Sequence, residues 1–436
     1  MNVGFISLGC DKNRVDAEKM LCRLSEAGYE IVPDKEEADV LLINTCAFIE
    51  AAKREAIDAI MDAIELKKRK KDLKIVVTGC FSTRYGEEAK KEIPEVDVFL
   101  PVNQEGQIVR VVNTFYHKPR FLPRTYGRII TTPLWYAYLK ISDGCNNRCS
   151  YCAIPYIRGK YHSYSAVQLM AEARALREKG VKELIIVAQD TTNYGIDNYS
   201  ERYLIPLLRK ICTLDFWRVR LLYAYPEHIT DELLDFIDNE PKMAKYLDIP
   251  MQHVDDDILK RMNRASTKES LYKLFDRIRS RKNYIAVRSS FITGFPGETE
   301  ENNKNLCDFV RDYIDYAGFF VFSPEEGTPA YSFPDKVKTS VAKRRRTDAE
   351  KAWQIGYISR QQRFVGQTLE VLCDGINTEK GAFYGRTEYQ TPEVDTKVYF
   401  TADLNVKEGE VYKVHITDVD FDWYGYASKE ENEVQD

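Results

Sequence analysis

The sequence has no run of apolar residues approaching the roughly 18 that a membrane-spanning helix needs, so it does not predict an integral membrane protein. Its N-terminus, MNVGFISLGC, lacks the basic start and long apolar stretch of a secretory signal peptide. We therefore expect a cytoplasmic protein. The chain also lacks a strong charge of one sign, with a formal net charge of −5 over 436 residues. This argues against a protein whose whole surface binds nucleic acid.

The ten cysteines are better explained by metal binding or redox chemistry than by disulfides, because no export signal is present. Four of them occur singly in apolar surroundings, and we expect these to be small core residues. They are Cys22, Cys212, Cys307 and Cys373. The other six cysteines form two groups of three.

The first third of the chain alternates apolar strands with charged amphipathic helices. The predicted strands are VGFISLGC (3–10), DVLLINTC (39–46) and KIVVTGC (74–80). Continuous apolar strands between helices indicate a parallel sheet covered on both faces, so we predict a Rossmann-like N-terminal domain over residues 1–117. The Pro- and Arg-rich segment 118–133 resembles an interdomain linker.

The middle of the chain, residues 131–335, repeats this alternation six times. The predicted strands are YAYLKIS (136–142), ELIIVAQ (183–189), VRLLYAY (219–225), YLDIPMQ (246–252), AVRSSFITG (286–294) and GFFVFS (318–323). Six βα units are too few for a closed eight-unit barrel but enough for a partial (βα)6 TIM-like barrel. An open doubly wound sheet is the alternative.

The C-terminal part consists of a charged linker helix (339–364) and a segment of short strands with turn residues (366–436). The strands predict a small antiparallel β-barrel. This segment has 16 acidic and 6 basic residues, a formal net charge of −10. The barrel is therefore much more acidic than the rest of the chain.

The stretch GCNNRCSYC (144–152) places Cys145, Cys149 and Cys152 in one loop after the first strand of the predicted barrel. Barrel folds carry their chemistry on loops at this end. Four thiolates complete a zinc site or an iron–sulfur cluster, and the only nearby candidate for a fourth ligand is His162. Zinc is thus the less favoured interpretation. An iron–sulfur cluster held by three thiolates would keep one iron open to an external ligand.

The second group of cysteines shares one position in successive βα units. Cys10, Cys46 and Cys80 each end a predicted parallel strand. The carboxyl ends of such strands open into one crevice, where ligands bind, so these residues are expected to converge. The alternative is three unrelated buried cysteines, which their common position makes a poor explanation.

The Cys-x-x-x-Cys-x-x-Cys loop resembles the signature of the radical S-adenosylmethionine (SAM) enzymes. The resemblance implies a 4Fe–4S cluster on Cys145, Cys149 and Cys152, whose open iron binds SAM. The reduced cluster cleaves SAM to methionine and a 5′-deoxyadenosyl radical. Tyr151 occupies the place of the aromatic residue that usually precedes the third cysteine, and we predict that it helps to bind the cofactor.

With the second cysteine group, the whole chain resembles the radical SAM methylthiotransferases, in which the C-terminal barrel is a TRAM domain. Supporting stretches are SLGCDKNRVDAE (7–18), IPYIRG (154–159), FITGFPGETEE (291–301) and SPEEGTPA (323–330). The resemblance implies a second 4Fe–4S cluster on Cys10, Cys46 and Cys80, which carries the sulfur. One SAM supplies the methyl group and another the radical, so that C–H becomes C–S–CH₃. A low-potential electron donor and a sulfur donor are implied partners.

Three features favour the branch of this family that modifies the β-carbon of an aspartate in small-subunit ribosomal protein S12. The stretches VRLLYAYP (219–226) and GRTEYQTPEVD (385–395) resemble that branch. The acidic TRAM barrel would attract a basic ribosomal protein and repel RNA phosphates. The alternatives are a methylthiotransferase for isopentenyladenosine in tRNA and, from another class, a metal-cluster RNA-binding scaffold.

Polar residues at or near the ends of the barrel strands are candidates for SAM binding because they lie on the same face as the cysteine loop. They are Gln189, Asp190, Gln252, Arg288, Ser290 and Gly294. A polar residue in this position can equally cap a helix or satisfy a backbone group.

Overall fold

The computed structural model describes residues 1–116 and 127–432. Most of the predicted linker 118–133 therefore lies outside the described residues. Within the described ranges, no helix combines the length and hydropathy needed to cross a membrane.

The N-terminal domain is built on a five-stranded parallel sheet in the order β2-β1-β3-β4-β5. Its strands are β1 (Asn2–Ser7), β2 (Glu30–Val32), β3 (Val40–Thr45), β4 (Lys74–Gly79) and β5 (Val98–Pro101). All six residues of β3 are buried, which explains the continuous apolar run in its sequence. The strand order reverses direction between β1 and β3, and in doubly wound sheets ligands bind at this switch point.

Helices cover both faces of this sheet, as predicted. They are α1 (Asp11–Glu26), α2 (Glu50–Arg69), α3 (Cys80–Glu92) and α4 (Ile108–Thr114). Residues of α1 and α4 pack on one face, and residues of α2 and α3 pack on the other. The carboxyl ends of β1, β3 and β4 are left open between these layers.

The central domain contains six parallel strands and a two-stranded ribbon. The parallel strands are β6 (Tyr136–Lys140), β9 (Glu183–Val187), β10 (Arg218–Leu221), β11 (Tyr246–Asp248), β12 (Ala286–Thr293) and β13 (Tyr316–Val321). The ribbon pairs β7 (Ser142–Asp143) with β8 (His162–Ser163).

The six parallel strands follow one another around the domain in chain order. β6, β9 and β10 form one sheet and β11, β12 and β13 another, and a parallel bridge between Val219 and Met243 joins the two. A doubly wound sheet would reverse its strand order partway. The prediction of a partial (βα)6 barrel is therefore confirmed, and the open-sheet alternative is wrong.

Helices follow the strands of the partial barrel. They are α5 (Ile154–Ile157), α6 (Ala166–Glu178), α7 (Leu204–Cys212), α8 (Asp231–Asn239), α9 (Asp256–Arg261), α10 (Lys268–Arg279) and α11 (Glu300–Tyr313). The charged helix α12 (Thr339–Gln361) comes next and buries Ala349, Trp353 and Tyr357. Gly356 lies so close to α11 that a Cβ atom would be 1.8 Å from the carbonyl oxygen of Arg311.

The C-terminal domain is a closed five-stranded barrel in the order β14-β15-β16-β18-β17. Its strands are β14 (Thr368–Asn377), β15 (Ala382–Arg386), β16 (Val398–Ala402), β17 (Val411–Val419) and β18 (Trp423–Ala427), followed by α13 (Lys429–Asn432). Trp423 is fully buried and stacks on Phe364 with 4.5 Å between ring centroids. The prediction of a small β-barrel is confirmed.

A buried ion-pair triad fastens this barrel to the partial barrel. Glu183 at the start of β9 accepts a hydrogen bond from Arg220 Nε at 2.7 Å and one from Arg386 Nη2 at 2.6 Å. Arg386 belongs to β15, and all three side chains are at most 3% exposed. Although burial opposes ionisation, the two guanidinium groups hold the pKa of Glu183 below its ordinary value.

The loop between β15 and β16 extends this contact into the partial barrel. Asp395 accepts a hydrogen bond from Tyr246 Oη at 2.7 Å and lies 3.5 Å from Arg288 Nε. Burial raises the pKa of Asp395 to about 6, against the opposing effect of Arg288. The segment PEVD thus forms part of a domain interface.

Candidate active site

The loop with the first three cysteines begins at Gly144, where the backbone leaves no room for a side chain. Gly144 has φ 72°, and a Cβ atom there would lie 2.3 Å from the carbonyl oxygen of Lys160. The Cys145 N–H donates to the carbonyl of Gly159 at 3.3 Å, and the Cys152 N–H donates to that of Cys149 at 3.0 Å. These contacts fold the cysteines into one compact turn at the carboxyl end of the strands.

Ser150 fastens the same loop to the C-terminal end of α9. Its N–H donates to the carbonyl of Met262 at 3.0 Å, and its Oγ donates to that of Arg261 at 2.8 Å. Tyr151 packs on the hydrophobic cluster that contains Met262 and Phe295. The loop is therefore anchored by a neighbouring element as well as by its own turns.

A tyrosine and an arginine contact the middle cysteine. The Cys149 Sγ lies 3.8 Å from Tyr225 Oη and 3.9 Å from Arg264 Nη1. Burial raises the pKa of Cys145 to about 11 and raises that of Cys152 further. Cysteines bind metals as thiolates, so metal binding at this loop would release protons.

The fourth ligand that a single zinc ion would need is not beside the three cysteines. No three His, Cys, Asp or Glu side chains in residues 1–116 and 127–432 converge closely enough to hold one metal ion. His162, the candidate fourth ligand, is exposed and lies 3.6 Å from Asp197. Thiolates bound to different irons of a cluster stand further apart than those on one ion. Gln189 Oε1 is buried and has no hydrogen-bond partner in the described residues, so a bound polar ligand could satisfy it.

Four of the predicted SAM contacts have clear structural partners. Asp190 accepts hydrogen bonds from Asn147 Nδ2 at 3.0 Å and Thr192 Oγ1 at 2.7 Å. Arg288 donates to Asp248 Oδ1 at 3.2 Å, in addition to its pairing with Asp395. The Ser290 carbonyl accepts from the Gln252 N–H at 2.9 Å.

Gln252 and Gly294 both have left-handed backbone conformations. Gln252 has φ 71°, which is uncommon for a residue with a side chain and recurs at functional sites. Gly294 has φ 75°, and a Cβ atom there would lie 2.2 Å from Ala342 Cβ of α12. Gly294 is thus required by the approach of α12. A role in SAM binding remains a prediction for Tyr151 and for all six strand-end residues.

The second three cysteines converge at the switch point of the N-terminal sheet. Cys10 caps the N-terminus of α1, Cys46 follows β3, and Cys80 is the first residue of α3. A Cβ atom built on Gly9, next to Cys10, would lie 3.4 Å from Cys46 Sγ, and the Cys80 thiol donates to Asn13 Oδ1 at 3.7 Å. Burial raises the pKa of Cys10.

A glycine before two of these cysteines is required by the close approach of the neighbouring strand end. A Cβ atom on Gly9 would lie 2.7 Å from Cys46 Cβ, and one on Gly79 would lie 2.3 Å from the carbonyl oxygen of Thr45. Both glycines also have positive φ angles. The repeated Gly-Cys pattern is therefore a consequence of bringing the strand ends together.

A buried charge network joins the second cysteine site to the central domain. The Asn13 side chain lies 3.7 Å from Cys80 Sγ and accepts a hydrogen bond from Arg158 Nη2. Arg158 Nη1 pairs with Asp16 at 3.0 Å and with Asp143 at 2.9 Å. Asp143 immediately precedes the first cysteine loop, so this network links the two cysteine sites.

Sequence reasoning missed the roles of Asn13, Arg158, Tyr225 and Arg264. The first three lie within stretches that the sequence singled out, namely SLGCDKNRVDAE, IPYIRG and VRLLYAYP. Arg264 lies outside all of them, and its place beside Cys149 depends on tertiary packing. No local signal in the sequence distinguishes it from other arginines.

Family comparisons match all three domains. Residues 2–101 match the Uncharacterized protein family UPF0004, residues 139–310 the Radical SAM superfamily and residues 365–426 the TRAM domain. A three-cysteine doubly wound domain, a radical SAM partial barrel and a TRAM barrel in this order define a radical SAM methylthiotransferase.

Curated relatives match nearly the full chain. It is 44% identical to the ribosomal protein uS12 methylthiotransferase RimO of Thermoanaerobacter sp. (strain X514), over 96% of this chain and 97% of the relative. It is 42% identical to that of Acetivibrio thermocellus, over 96% of each chain, and 41% identical to that of Clostridium botulinum (strain Hall), over 99% of each. The chain belongs to the RimO family of ribosomal protein uS12 methylthiotransferases.

Solved structures support the fold. The radical SAM methyltransferase TsrM from Kitasatospora setae, with tryptophan and a SAM analogue bound, matches with a TM-score of 0.56 and 15% identity, covering 86% of this chain and 79% of that one. The cobalamin-dependent radical SAM enzyme OxsB matches with a TM-score of 0.51 and 13% identity, covering 76% and 54%. Membership of the radical SAM superfamily implies a 4Fe–4S cluster and SAM.

Proposed function

We propose that this enzyme uses two 4Fe–4S clusters and two SAM molecules to methylthiolate the β-carbon of an aspartate in ribosomal protein uS12. Cys145, Cys149 and Cys152 would hold the SAM-binding cluster. Cys10, Cys46 and Cys80 would hold the second cluster, and an external sulfur donor and electron donor complete the reaction in the cytoplasm. The relatives' printed names support uS12 as the substrate.

The convergence of Cys10, Cys46 and Cys80 at the switch point carries the proposal of a second cluster. When bound, a reduced three-thiolate cluster and SAM supply a carbon radical that removes hydrogen from an unactivated carbon, and a sulfur-bearing second cluster supplies the group that replaces it. The chain's own residues hold these groups and orient them. Arg158 connects the two sites by contacting Asn13 beside Cys80 and Asp143 beside the first cysteine loop.

The acidic TRAM barrel supports a basic protein partner. Its formal net charge of −10 favours association with a positively charged ribosomal protein and disfavours RNA phosphates. We propose that this barrel helps to recruit uS12. The tRNA alternative and the RNA-binding scaffold both require a phosphate-binding surface, which this charge does not favour.

Mass spectrometry of candidate substrates tests the proposal. Anaerobically reconstituted enzyme with SAM, sulfide and a strong reductant is incubated with a peptide from the uS12 loop, or with an isopentenylated tRNA anticodon stem. We expect the peptide to gain one methylthio group in place of one hydrogen, localised to the aspartate, and the RNA to stay unchanged.

Two controls make this result specific. A peptide with alanine at the aspartate should gain nothing, and the Cys46→Ala enzyme should cleave SAM without methylthiolating the peptide. Methylthiolation of the RNA alone would refute the substrate, and methylthiolation by Cys46→Ala at the wild-type rate would refute the second cluster's role.

A further inference from the structure

We propose that Arg264, assisted by Tyr225, raises the reduction potential of the SAM-binding cluster by donating a hydrogen bond to the Cys149 sulfur. This inference depends on the first cluster only, and it holds whichever substrate the enzyme modifies. Both residues would act through Cys149, so they are positioning residues rather than catalytic ones.

The guanidinium group of Arg264 is fixed in place on several sides. Nη1 lies 3.9 Å from Cys149 Sγ, and Nη2 donates to the carbonyl of Pro250 at 3.0 Å. The guanidinium carbon stacks over the Tyr225 ring at 4.4 Å from its centroid. Arg264 is only 8% exposed. Its charge is therefore held against the cysteine loop and shielded from solvent.

The charge of Arg264 is only weakly balanced by protein carboxylates. Among the described residues, Arg264 forms an ion pair with Glu227, whose Oε1 is 3.9 Å from Arg264 Nη2. That oxygen already accepts two hydrogen bonds from Ser266. Arg264 Nε is buried and has no hydrogen-bond partner in the described part of the chain. Because a buried cation without a close anion is energetically costly, additional negative charge near Arg264 would be stabilised.

At the second cysteine site, by contrast, the nearby arginine is paired closely with carboxylates. Arg158 contacts Asn13, which lies beside Cys80, but it also pairs closely with Asp16 and Asp143. Lys140 pairs with the same Asp143 at 2.9 Å. Cations and anions are thus interleaved at the second site, whereas Arg264 at the first site pairs only with Glu227, at 3.9 Å, among the described residues.

These surroundings have a definite effect on a cluster held by Cys149. Reduction adds one negative charge, and hydrogen bonds to cluster sulfurs together with a nearby positive charge stabilise the reduced form. Tyr225 Oη, 3.8 Å from the same sulfur, adds a second donor. The environment therefore favours the reduced form of the SAM-binding cluster.

A redox titration followed by electron paramagnetic resonance tests this inference on the two-cluster enzyme. In Arg264→Met, we expect the ratio of reduced to oxidised first cluster at a fixed potential to fall at least tenfold, equal to a shift of about 59 mV for a one-electron couple. The signal of the second cluster should keep its midpoint. In Tyr225→Phe, which keeps the stacked ring, we expect a smaller shift in the same direction.

Arg277→Met is the matched control, because Arg277 of α10 directs its guanidinium group to Asp231, with Nε 3.0 Å from Asp231 Oδ1. Its midpoint should equal that of the wild type. If Arg264→Met with full iron content had the wild-type midpoint, the inference would be wrong. If Arg264→Met lost the first cluster, the Tyr225→Phe midpoint would decide, and an unchanged value there would overturn the inference.

Discussion

Replacing Cys149 with alanine should reduce the release of 5′-deoxyadenosine from SAM to the background of a protein-free reaction. Cys149 is buried, and its sulfur is in contact with Tyr225 and Arg264. An alanine leaves only two cysteines in the loop to hold a cluster. His162 does not replace the lost ligand, because it lies beside Asp197. Liquid chromatography of an anaerobic reaction with dithionite and SAM measures the effect.

Cys212→Ala is the matched control, because Cys212 is a buried cysteine of α7 that packs in the hydrophobic core. It should retain SAM cleavage close to that of the wild type, with at most a modest loss of stability. Wild-type rates of SAM cleavage in Cys149→Ala would contradict the assignment of this loop as the SAM-binding cluster site.

Replacing Glu183 with glutamine should destabilise the contact between the partial barrel and the TRAM barrel by about 3–5 kcal/mol. The substitution keeps the shape of the side chain but leaves Arg220 buried without its carboxylate partner and leaves Arg386 with Asp374 alone. Because a chain of several domains does not unfold in two states, the readouts are the denaturant midpoint and the rate of proteolysis at residues 362–367.

Glu410→Gln provides the comparison for Glu183, since the Glu410–Lys182 pair links the same two domains at an exposed position. An exposed pair contributes about 0–1 kcal/mol, so this variant should behave like the wild type. Equal proteolysis of Glu183→Gln and wild-type enzyme would show that the buried triad does not hold the domains together.

The regular elements of the fold were predictable because their sequence patterns are local. Apolar runs such as 39–46 and 74–80 lie within one residue of strands β3 and β4. The short edge strands β2 and β5 were missed, since three or four residues carry little periodicity. Cys10 follows the end of β1 by three residues because Gly9, at φ 92°, turns the chain into α1.

The sequence could not distinguish a partial barrel from an open sheet. Both folds alternate strands and helices in the same way, and only the pairing between β10 and β11 decides between them. This pairing depends on long-range contacts such as the bridge from Val219 to Met243.

The positions of the cysteines near the strand ends were predictable, but the residues that surround them were not, and the metal-binding role of the cysteines stays a prediction. Strand ends converge in any parallel sheet, so Cys10, Cys46 and Cys80 could be placed from topology alone. Arg264 and the pairing of Arg288 with Asp395 bring together residues that are more than 100 positions apart in sequence. Such contacts follow from packing, and no local pattern encodes them.

The iron content of anaerobically reconstituted protein tests the central claim most directly. Two clusters of four irons predict about eight irons per chain in the wild type and in Cys212→Ala, and about four in either Cys46→Ala or Cys149→Ala. Cys46→Ala should keep the SAM-bound cluster signal, and Cys149→Ala should lose it. About four irons in the wild type, or no loss of iron from either variant, would contradict two independent three-cysteine cluster sites.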